Sequence, residues 1–205
     1  MTSRVLLVSP ASSPALRQAR FYDGLGPLDA SGAARARAAA GMLPRAERVV
    51  RSPGARCQET AGELGLGAAE LPNLATLDAG RWRGRTLAEV GGAEPEALMR
   101  WLTDPESAPH GGESVHALCQ RVGGWLESEV PADARTLAVV EPDVVRAAVV
   151  HALVLPPETF WRLDVLPLTV TELSGRAGRW NLRLGRPLGG EATSPPESGR
   201  SRTDR

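Results

Sequence analysis

Arg56 is the residue of this chain whose type and position most directly suggest chemistry. It follows Ser52-Pro53, which opens a helix predicted to run to about Leu64. An arginine in the first turn of a helix can bind an anion, because its guanidinium donates several hydrogen bonds and the helix dipole adds positive potential. A buried arginine must otherwise find a carboxylate as its partner. The position therefore allows either an anion site or a structural ion pair.

A second position for chemistry is the loop that follows the first apolar segment, Val5 to Val8. Four consecutive apolar residues before Ser9-Pro10 predict a short strand buried on both faces, the central strand of a parallel sheet. The carboxyl end of such a strand is where an open α/β sheet places its functional groups. The segment between Val5 and Phe21 nevertheless contains no His, Lys, Cys, Asp or Glu. This loop therefore lacks an obvious nucleophile or base.

Two arginine-bearing segments are further candidates for ligand binding. Residues 12–27 are predicted to form a long functional loop of the kind that covers a site, and this loop carries Arg20. Arg81 and Arg83 flank Trp82 between two glycines, a pattern that allows a stacking surface but is more typical of a solvated turn.

The histidines and one acidic residue are the remaining candidates. His116 and His151 fall within predicted helices, which favours packing or surface roles. His110 lies in a loop beside a glycine and remains a catalytic candidate. Glu113-Ser114 is most simply the N-terminal cap of the helix that follows, and ligand binding by Glu113 is the second interpretation.

Strands and helices alternate along most of the chain, which predicts an α/β domain. A helix over 116–129 shows apolar residues at three- and four-residue spacing, and one over 144–153 is apolar nearly all round, as expected against a sheet. Ser31 is the predicted N-cap of a helix over 32–42. The other predicted strands are 48–51, 71–77, 136–140 and a hairpin of 168–173 with 179–184, and the other predicted helices are 53–64, 85–90, 95–102 and 158–163. Residues 187–205 are rich in Gly, Ser, Pro and charge, which predicts a disordered tail.

Composition narrows the class of protein. A chain of 205 residues with 42% hydrophobic residues can build one ordinary domain. Lys plus Arg and Asp plus Glu both number 24, so neither nucleic acid nor an anionic membrane is an expected partner. Cys57 and Cys119 lack the spacing of metal ligands and are predicted to be free thiols, and no metal or cofactor is expected. Without a bilayer-spanning run or a signal-peptide core, the protein is expected to be cytoplasmic.

Six sequence features occur in an informative order. They are Val5 to Val8, Ser52-Pro53 with Arg56 and Thr60-Ala61, Leu77 to Gly84, Gly111-Gly112-Glu113-Ser114, Val139 to Arg146, and Gly178-x-Trp180-x-Leu182. Over roughly residues 4 to 185, this combination resembles the histidine phosphatase superfamily. The resemblance implies a phosphoglycerate mutase-like fold over residues 1–186, a three-layer α/β/α sandwich with a mostly parallel central sheet. Its pocket is expected over the carboxyl edge of that sheet.

The same resemblance implies that the reactive groups of the family are replaced. In the family the first strand ends in Arg-His-Gly, where His takes the phosphoryl group and Arg binds it, whereas this chain has Ser9-Pro10-Ala11. Glu141 stands at the position of the second family histidine, and Thr76 at that of the acidic proton donor. Proline offers no lone pair for attack. Two like unit charges about 4 Å apart repel by roughly 4 kcal/mol at an effective dielectric constant of about 20, so an ionised Glu141 disfavours phosphate.

The retained and replaced positions together define the predicted site. Arg56 matches the family's phosphate-binding arginine, and Arg20 lies in the loop that family members use over the substrate. The ligand-binding residues expected from these comparisons and patterns are Arg56, Arg20, Ser9, Thr76, Arg81 and Glu113, with Glu141 as a catalytic candidate. Two roles remain open for Arg56, because it can bind an anion or pair with Glu141.

Two functions from different classes follow. In the first, the chain is a pseudoenzyme without phosphatase or mutase activity that binds a small anionic ligand or a protein partner. In the second, the fold serves another reaction, with Glu141 or Asp143 as acid/base and Arg56 holding a carboxylate. Residual phosphatase activity through another residue is a third possibility. The sequence leaves monomer and homodimer both open.

Overall fold

The first strand, β1, is central in the sheet of the computed structural model, which describes residues 2–22, 24–176 and 178–188. The strands are β1 (Ser3–Val8), β2 (Arg48–Arg51), β3 (Ala69–Glu70), β4 (Arg135–Val139), β5 (Thr169–Arg176) and β6 (Arg179–Pro187). Their order in the sheet is β3-β2-β4-β1-β5-β6. The β1–β4, β4–β2 and β2–β3 pairs are parallel, whereas β1–β5 and β5–β6 are antiparallel. The sheet is therefore mixed, with the predicted parallel part on one side of β1.

Helices cover both faces of the sheet, which confirms the three-layer α/β/α architecture. The helices α2 (Ala30–Ala38) and α3 (Ala55–Glu63) pack on one face, and α6 (Val115–Ser128) and α7 (Pro142–Ala152) pack on the other. Within β1, Leu6 and Val8 face the first pair of helices, and Val5 and Leu7 face the second. This alternation explains why the strand is continuously apolar, because successive side chains enter opposite cores.

Shorter elements connect these layers and surround the carboxyl edge of the parallel strands. They are the helices α1 (Pro14–Arg17), α4 (Leu87–Ala93) and α5 (Pro95–Thr103), and the 3₁₀ turns Pro72–Leu74, Gly80–Trp82 and Pro157–Arg162. The predicted loop over 12–27 thus contains one helical turn, α1. The Ser114 cap of α6 is confirmed, because its hydroxyl accepts a hydrogen bond from the backbone N–H of Ala117 at 3.1 Å.

Two local predictions are wrong. The strand predicted over 71–77 is replaced by the 3₁₀ turn Pro72–Leu74, and the edge strand is the preceding pair Ala69–Glu70. Proline at position 72 has no N–H to give to a ladder, which favours a turn there. The N-cap of α2 is Asp29 rather than Ser31, because an Asp29 carboxylate oxygen accepts from the Gly32 N–H at 2.7 Å.

The remaining sequence predictions concern the tail, the thiols and membrane spans. Pro187 is the last residue of β6 and Leu188 is buried, whereas the rest of the predicted tail, residues 189–205, lies outside the described residues. Cys57 and Cys119 are free thiols, as predicted, and both are buried. None of the helices in the described ranges combines the length and hydropathy that crossing a bilayer requires.

Candidate functional site

The loop that follows β1 is packed into the protein rather than open to a ligand. The Ser9 hydroxyl donates to the Leu166 carbonyl at 2.5 Å and accepts from the Thr169 N–H at 3.0 Å, and Ser9 is fully buried. The Ala11 N–H donates to the Thr60 hydroxyl in α3 at 3.0 Å. Pro10 stands between them. The polar groups of this loop are therefore used to attach it to its neighbours, and Ser9 lines neither of the two cavities described below.

Arg56 and Glu141 form a buried ion pair at the carboxyl edge of the sheet. Arg56 lies in the first turn of α3, and Glu141 is the residue that precedes α7, two positions after the end of β4. The Arg56 Nε lies 2.9 Å and 2.7 Å from the two Glu141 carboxylate oxygens, and the Arg56 Nη2 also contacts one of them. Glu141 is 0% exposed and Arg56 is 7% exposed. The geometry brings together the two residues between which the sequence left the role of Arg56 undecided.

The groups packed around this pair complete its coordination. The Cys57 thiol donates to a Glu141 carboxylate oxygen at 3.4 Å. The Tyr22 ring lies under the guanidinium, with the Arg56 Cζ 4.0 Å from the ring centroid, and the Tyr22 hydroxyl accepts from the Arg56 backbone N–H at 3.1 Å. Such stacking stabilises a cation while excluding water. Within the part of the chain that the structure describes, the guanidinium is thus enclosed by a carboxylate, an aromatic ring and the Ser13 hydroxyl.

Burial and the partner's charge act in opposite directions on the pKa of each member of this pair. Burial raises the pKa of Glu141, and the adjacent Arg56 charge opposes that rise. Burial lowers the pKa of Arg56, but the Coulombic attraction and hydrogen bonds of Glu141 outweigh it and hold that pKa above its ordinary value. Burial also raises the pKa of Tyr22 to about 12. We interpret the pair as ionised, because both carboxylate oxygens accept hydrogen bonds from a guanidinium that stays charged.

Asp143 is a second carboxylate at this edge, in the first turn of α7. One of its oxygens accepts from the Thr76 hydroxyl at 2.6 Å and from the Leu77 N–H at 2.7 Å, and the other accepts from the Val144 N–H at 2.8 Å. Thr76, a predicted ligand residue, therefore uses its hydroxyl to position Asp143. The hydrogen-bond donors to this carboxylate are therefore neutral groups. Among the described residues, no arginine lies within ion-pair distance of it.

A larger cavity of ≈ 590 Å³ opens beside this edge. Its charged lining residues form two pairs, Arg83 with Asp78 at 2.7 Å and Arg121 with Glu113 at 2.7 Å. Glu113, a predicted ligand residue, is therefore present in a cavity but is already neutralised by a partner. The charges of the larger cavity balance within the protein.

A smaller cavity of ≈ 200 Å³ adjoins the larger one through Tyr22, Thr76 and Leu77. Its polar lining includes three arginines and Asp143, and its apolar lining includes Trp101 and Trp161, whose rings lie 4.4 Å apart. The lining residues are Leu16, Arg20, Phe21, Tyr22, Arg56, Thr76, Leu77, Ala79, Trp101, Pro142, Asp143, Arg146 and Trp161. Three of the residues predicted to bind a ligand, Arg20, Arg56 and Thr76, meet here.

Two predicted candidates lie away from both cavities. The Arg81 side chain is 53% exposed, forms an ion pair with Glu94 and donates to the Pro109 carbonyl. These contacts agree with a solvated turn rather than a stacking surface. His110 is buried against Trp82, with ring centroids 5.0 Å apart, and its Nδ1 accepts from the Gly112 N–H at 3.0 Å. Burial lowers the pKa of His110, so the imidazole is neutral and serves packing.

Sequence reasoning missed the residues that give the smaller cavity its character. Arg146 is the last residue of segment 139–146, one of the six features of the family resemblance, but the sequence did not predict that it would line a cavity. Trp101 and Trp161 lie in segments predicted only as helices, and Tyr22 in a segment predicted only as loop. The scarcity of aromatic residues, 4% of the chain, was the one signal that could have singled them out.

Comparison with known proteins agrees with this architecture. The family described as the histidine phosphatase superfamily (branch 1) matches residues 18–186, and the chain belongs to that superfamily. The match begins after the loop that follows β1. Strand β1 and residues 9–17 therefore lie outside the matched range.

Two mycobacterial proteins are similar to this chain in sequence. Over 129 residues it is 36% identical to the Bifunctional protein Rv2228c of Mycobacterium tuberculosis, an alignment that covers 58% of this chain and 35% of the relative. The chain therefore matches about a third of the length of that curated relative. A solved mycobacterial glucosyl-3-phosphoglycerate phosphatase is 26% identical, with a TM-score of 0.76 and coverage of 89% of this chain and 97% of that one.

A third comparison supports the fold alone. A putative alpha-ribazole-5'-P phosphatase from Escherichia coli superimposes with a TM-score of 0.80 at 23% identity, covering 92% of this chain and 99% of that one. The three-layer arrangement is thus kept at low sequence identity.

Proposed function

We propose that this chain is a pseudoenzyme of the histidine phosphatase superfamily, without phosphatase or mutase activity, that retains a pocket for a small anionic ligand. The observation that carries the proposal is the buried ion pair of Arg56 and Glu141. In the family the arginine at this position binds the phosphate, and here its guanidinium is occupied by a carboxylate of the protein itself. A phosphate would have to displace Glu141 or accept its repulsion.

The groups around the pair support the same conclusion. The position of the attacking histidine is Pro10, and the position of the proton donor is Thr76, whose hydroxyl is engaged with Asp143. General acid catalysis needs a group that can release a proton near neutral pH, which a threonine hydroxyl does not do. Attack, protonation and phosphate binding are therefore all unsupported at the positions where the family performs them.

The alternative, an acid/base reaction by Glu141 with Arg56 holding a substrate carboxylate, has less support. It requires both side chains to reach a substrate, whereas Glu141 is fully buried and both of its oxygens contact Arg56. A proton-transfer group must lie within hydrogen-bond distance of the atom it serves. The enclosure of the pair favours a structural role. A protein-interaction role stays open beside ligand binding.

The test is a phosphate-release assay on the purified chain with p-nitrophenyl phosphate and glucosyl-3-phosphoglycerate, the latter because a relative is named for it. That relative serves as the positive control, and Arg56→Met is the matched variant. We expect no phosphate release above the buffer blank for either chain. Phosphate release by the wild-type chain above the buffer blank would overturn the proposal, whether or not the destabilised Arg56→Met variant retains it.

A further inference from the structure

Arg146 is a half-buried arginine in α7 with no anionic partner among the described residues. Its Nε donates to the Leu163 carbonyl at 2.6 Å, and its guanidinium carbon lies 5.8 Å and 5.9 Å from the ring centroids of Phe160 and Trp161. No hydrogen bond or ion pair within the described residues uses its two terminal nitrogens. Burial lowers its pKa, and the charges of Asp143 and Asp164, neither of which lies within ion-pair distance, offset that effect only in part. Arg146 lines the smaller cavity.

The charge balance of the smaller cavity defines the ligand charge. The charged residues in its lining are Arg20, Arg56, Arg146 and Asp143, and Arg56 is neutralised by Glu141 behind it. Within the lining, the remaining two arginines and one aspartate leave one positive charge, while Asp164 faces Arg146 from the neighbouring cavity that both residues line. A monoanion would balance that charge, whereas a phosphate dianion would leave an excess negative charge beside the Asp143 carboxylate.

The walls of the smaller cavity indicate the chemical groups and the size of its ligand. Trp101, Trp161, Phe21 and Leu16 supply rings and an apolar side chain around the arginines. Aromatic rings pack favourably against another ring, and a guanidinium binds a carboxylate through two parallel hydrogen bonds. Volume limits the size, since a cavity of about 150 Å³ holds benzene and this one measures ≈ 200 Å³.

From these contacts we infer that the smaller cavity binds a small aromatic monocarboxylate, with the carboxylate on Arg146 and the ring packed against the adjoining side chains of Trp101 and Trp161. The inference rests on the proposed function, because it takes Arg56 as unavailable to the ligand. It differs from the family's chemistry in both anchor and ligand, since the anchoring arginine lies on α7 and the ligand carries no phosphoryl group.

The test is a titration of the full chain with benzoate, followed by calorimetry and by the indole N–H signals in a ¹⁵N-correlated NMR spectrum. Five tryptophans give five such signals, and the single changes Trp101→Phe, Trp125→Phe, Trp161→Phe and Trp180→Phe assign the four that are compared. We expect a Kd below about 1 mM, within the efficiency range of small ligands. The Trp101 and Trp161 signals should move, whereas those of Trp125 and Trp180 should stay. Failure of the first two to move at saturating benzoate would overturn the inference.

Variants and analogues locate the carboxylate. Arg146→Met should weaken benzoate binding at least tenfold while the circular dichroism spectrum stays native. Arg162→Met, the matched loss of an exposed arginine sixteen positions further on, should leave it unchanged. Benzyl alcohol and phenyl phosphate should each bind at least tenfold more weakly than benzoate. Equal benzoate affinity in Arg146→Met and wild type would contradict the inference. If Arg146→Met does not fold, the NMR titration of the wild-type chain decides.

Experiments with phenyl phosphate distinguish failure of the inferred ligand from failure of the proposed pseudoenzyme function. If the chain binds it more tightly than benzoate without releasing phosphate, the inferred ligand charge is wrong and the pseudoenzyme proposal stands. If the chain hydrolyses it, the pseudoenzyme proposal itself fails.

Discussion

The Arg56 guanidinium faces the Glu141 carboxylate across the carboxyl edge of the sheet, with Nε–O distances of 2.9 Å and 2.7 Å. The two residues are 85 positions apart in sequence, and they meet because the parallel strands β2 and β4 are neighbours. Each side chain leaves the sheet just after one of these strands, so the topology alone brings them together. The contact converts an expected anion site into an internal ion pair.

Removing one member of this pair should destabilise the fold strongly. Arg56→Met leaves the Glu141 carboxylate buried without its partner, and we expect a loss of about 3–5 kcal/mol in the free energy of unfolding. Arg56→Met combined with Glu141→Leu should cost much less than the sum of the single changes, because no charge is then left unpaired. Urea unfolding of all four chains measures the coupling.

An exposed pair provides the control for this cycle. Arg37 and Glu63 lie 2.7 Å apart, but the Arg37 side chain is 67% exposed. Their coupling should be about 0–1 kcal/mol and should fall with added salt. Similar coupling in the two cycles would mean that the buried pair contributes no special stabilisation.

Tyr22 is the single tyrosine of the chain, so its ionisation can be followed directly by tyrosinate absorbance. The native pKa is raised to about 12 by burial, against 10.0 for an exposed tyrosine. A raised acid pKa means that the unfolded chain loses its proton first. Stability from this group is therefore complete below pH 10 and is lost as the pH rises toward about 12.

The measurement is absorbance at the tyrosinate band against pH, in buffer and in urea. The folded chain should show little tyrosinate at about pH 10.5, where the unfolded chain is mostly ionised. Coincident curves would show that Tyr22 is exposed and is not packed under Arg56.

Gly112 should not tolerate a side chain, because its backbone passes close to the segment that carries Asp78. A Cβ at this position would lie 2.0 Å from the Asp78 carbonyl oxygen. Gly112→Ala should therefore destabilise the fold by about 1–3 kcal/mol through a forced backbone shift. Gly92→Ala in α4 is the control, since a Cβ there meets nothing within 4 Å. Thermal unfolding compares the two, and equal midpoints would contradict the close approach.

The two thiols should be inert in the native state. Burial raises the pKa of Cys57, and it raises that of Cys119 to about 11. Because the thiolate is the reactive form, a disulfide reagent such as dithiobis-nitrobenzoate should label neither residue rapidly at neutral pH. Both should react at once in urea. Rapid labelling of one thiol in the folded chain would show that this cysteine is accessible to solvent and would contradict its burial.

The sequence predicted the architecture well where local pattern and burial agree. The apolar run of β1, the valine pair of β2 and the amphipathic α6 all formed where periodicity indicated. The segment over 71–77 failed because its apolar residues pack from an irregular chain rather than from a ladder. Apolar content alone does not distinguish these two situations.

The site was harder to predict than the fold. Sequence reasoning named Arg56, Glu141 and Thr76 as candidates, but it could not choose between an anion site and an ion pair, because that depends on contacts between distant segments. Arg146 was missed for the same reason. Whether an arginine has a partner is a property of the packed structure, and local sequence does not reveal it.

The most direct test of the account is the binding of inorganic phosphate, measured by calorimetry on the wild-type chain and on Glu141→Gln. The mycobacterial relative described in complex with inorganic phosphate is the positive control. We predict a Kd weaker than about 10 mM for the wild type and at least tenfold tighter binding for Glu141→Gln, because that change removes the charge that occupies Arg56. Submillimolar binding by the wild type that Glu141→Gln does not improve would contradict the account.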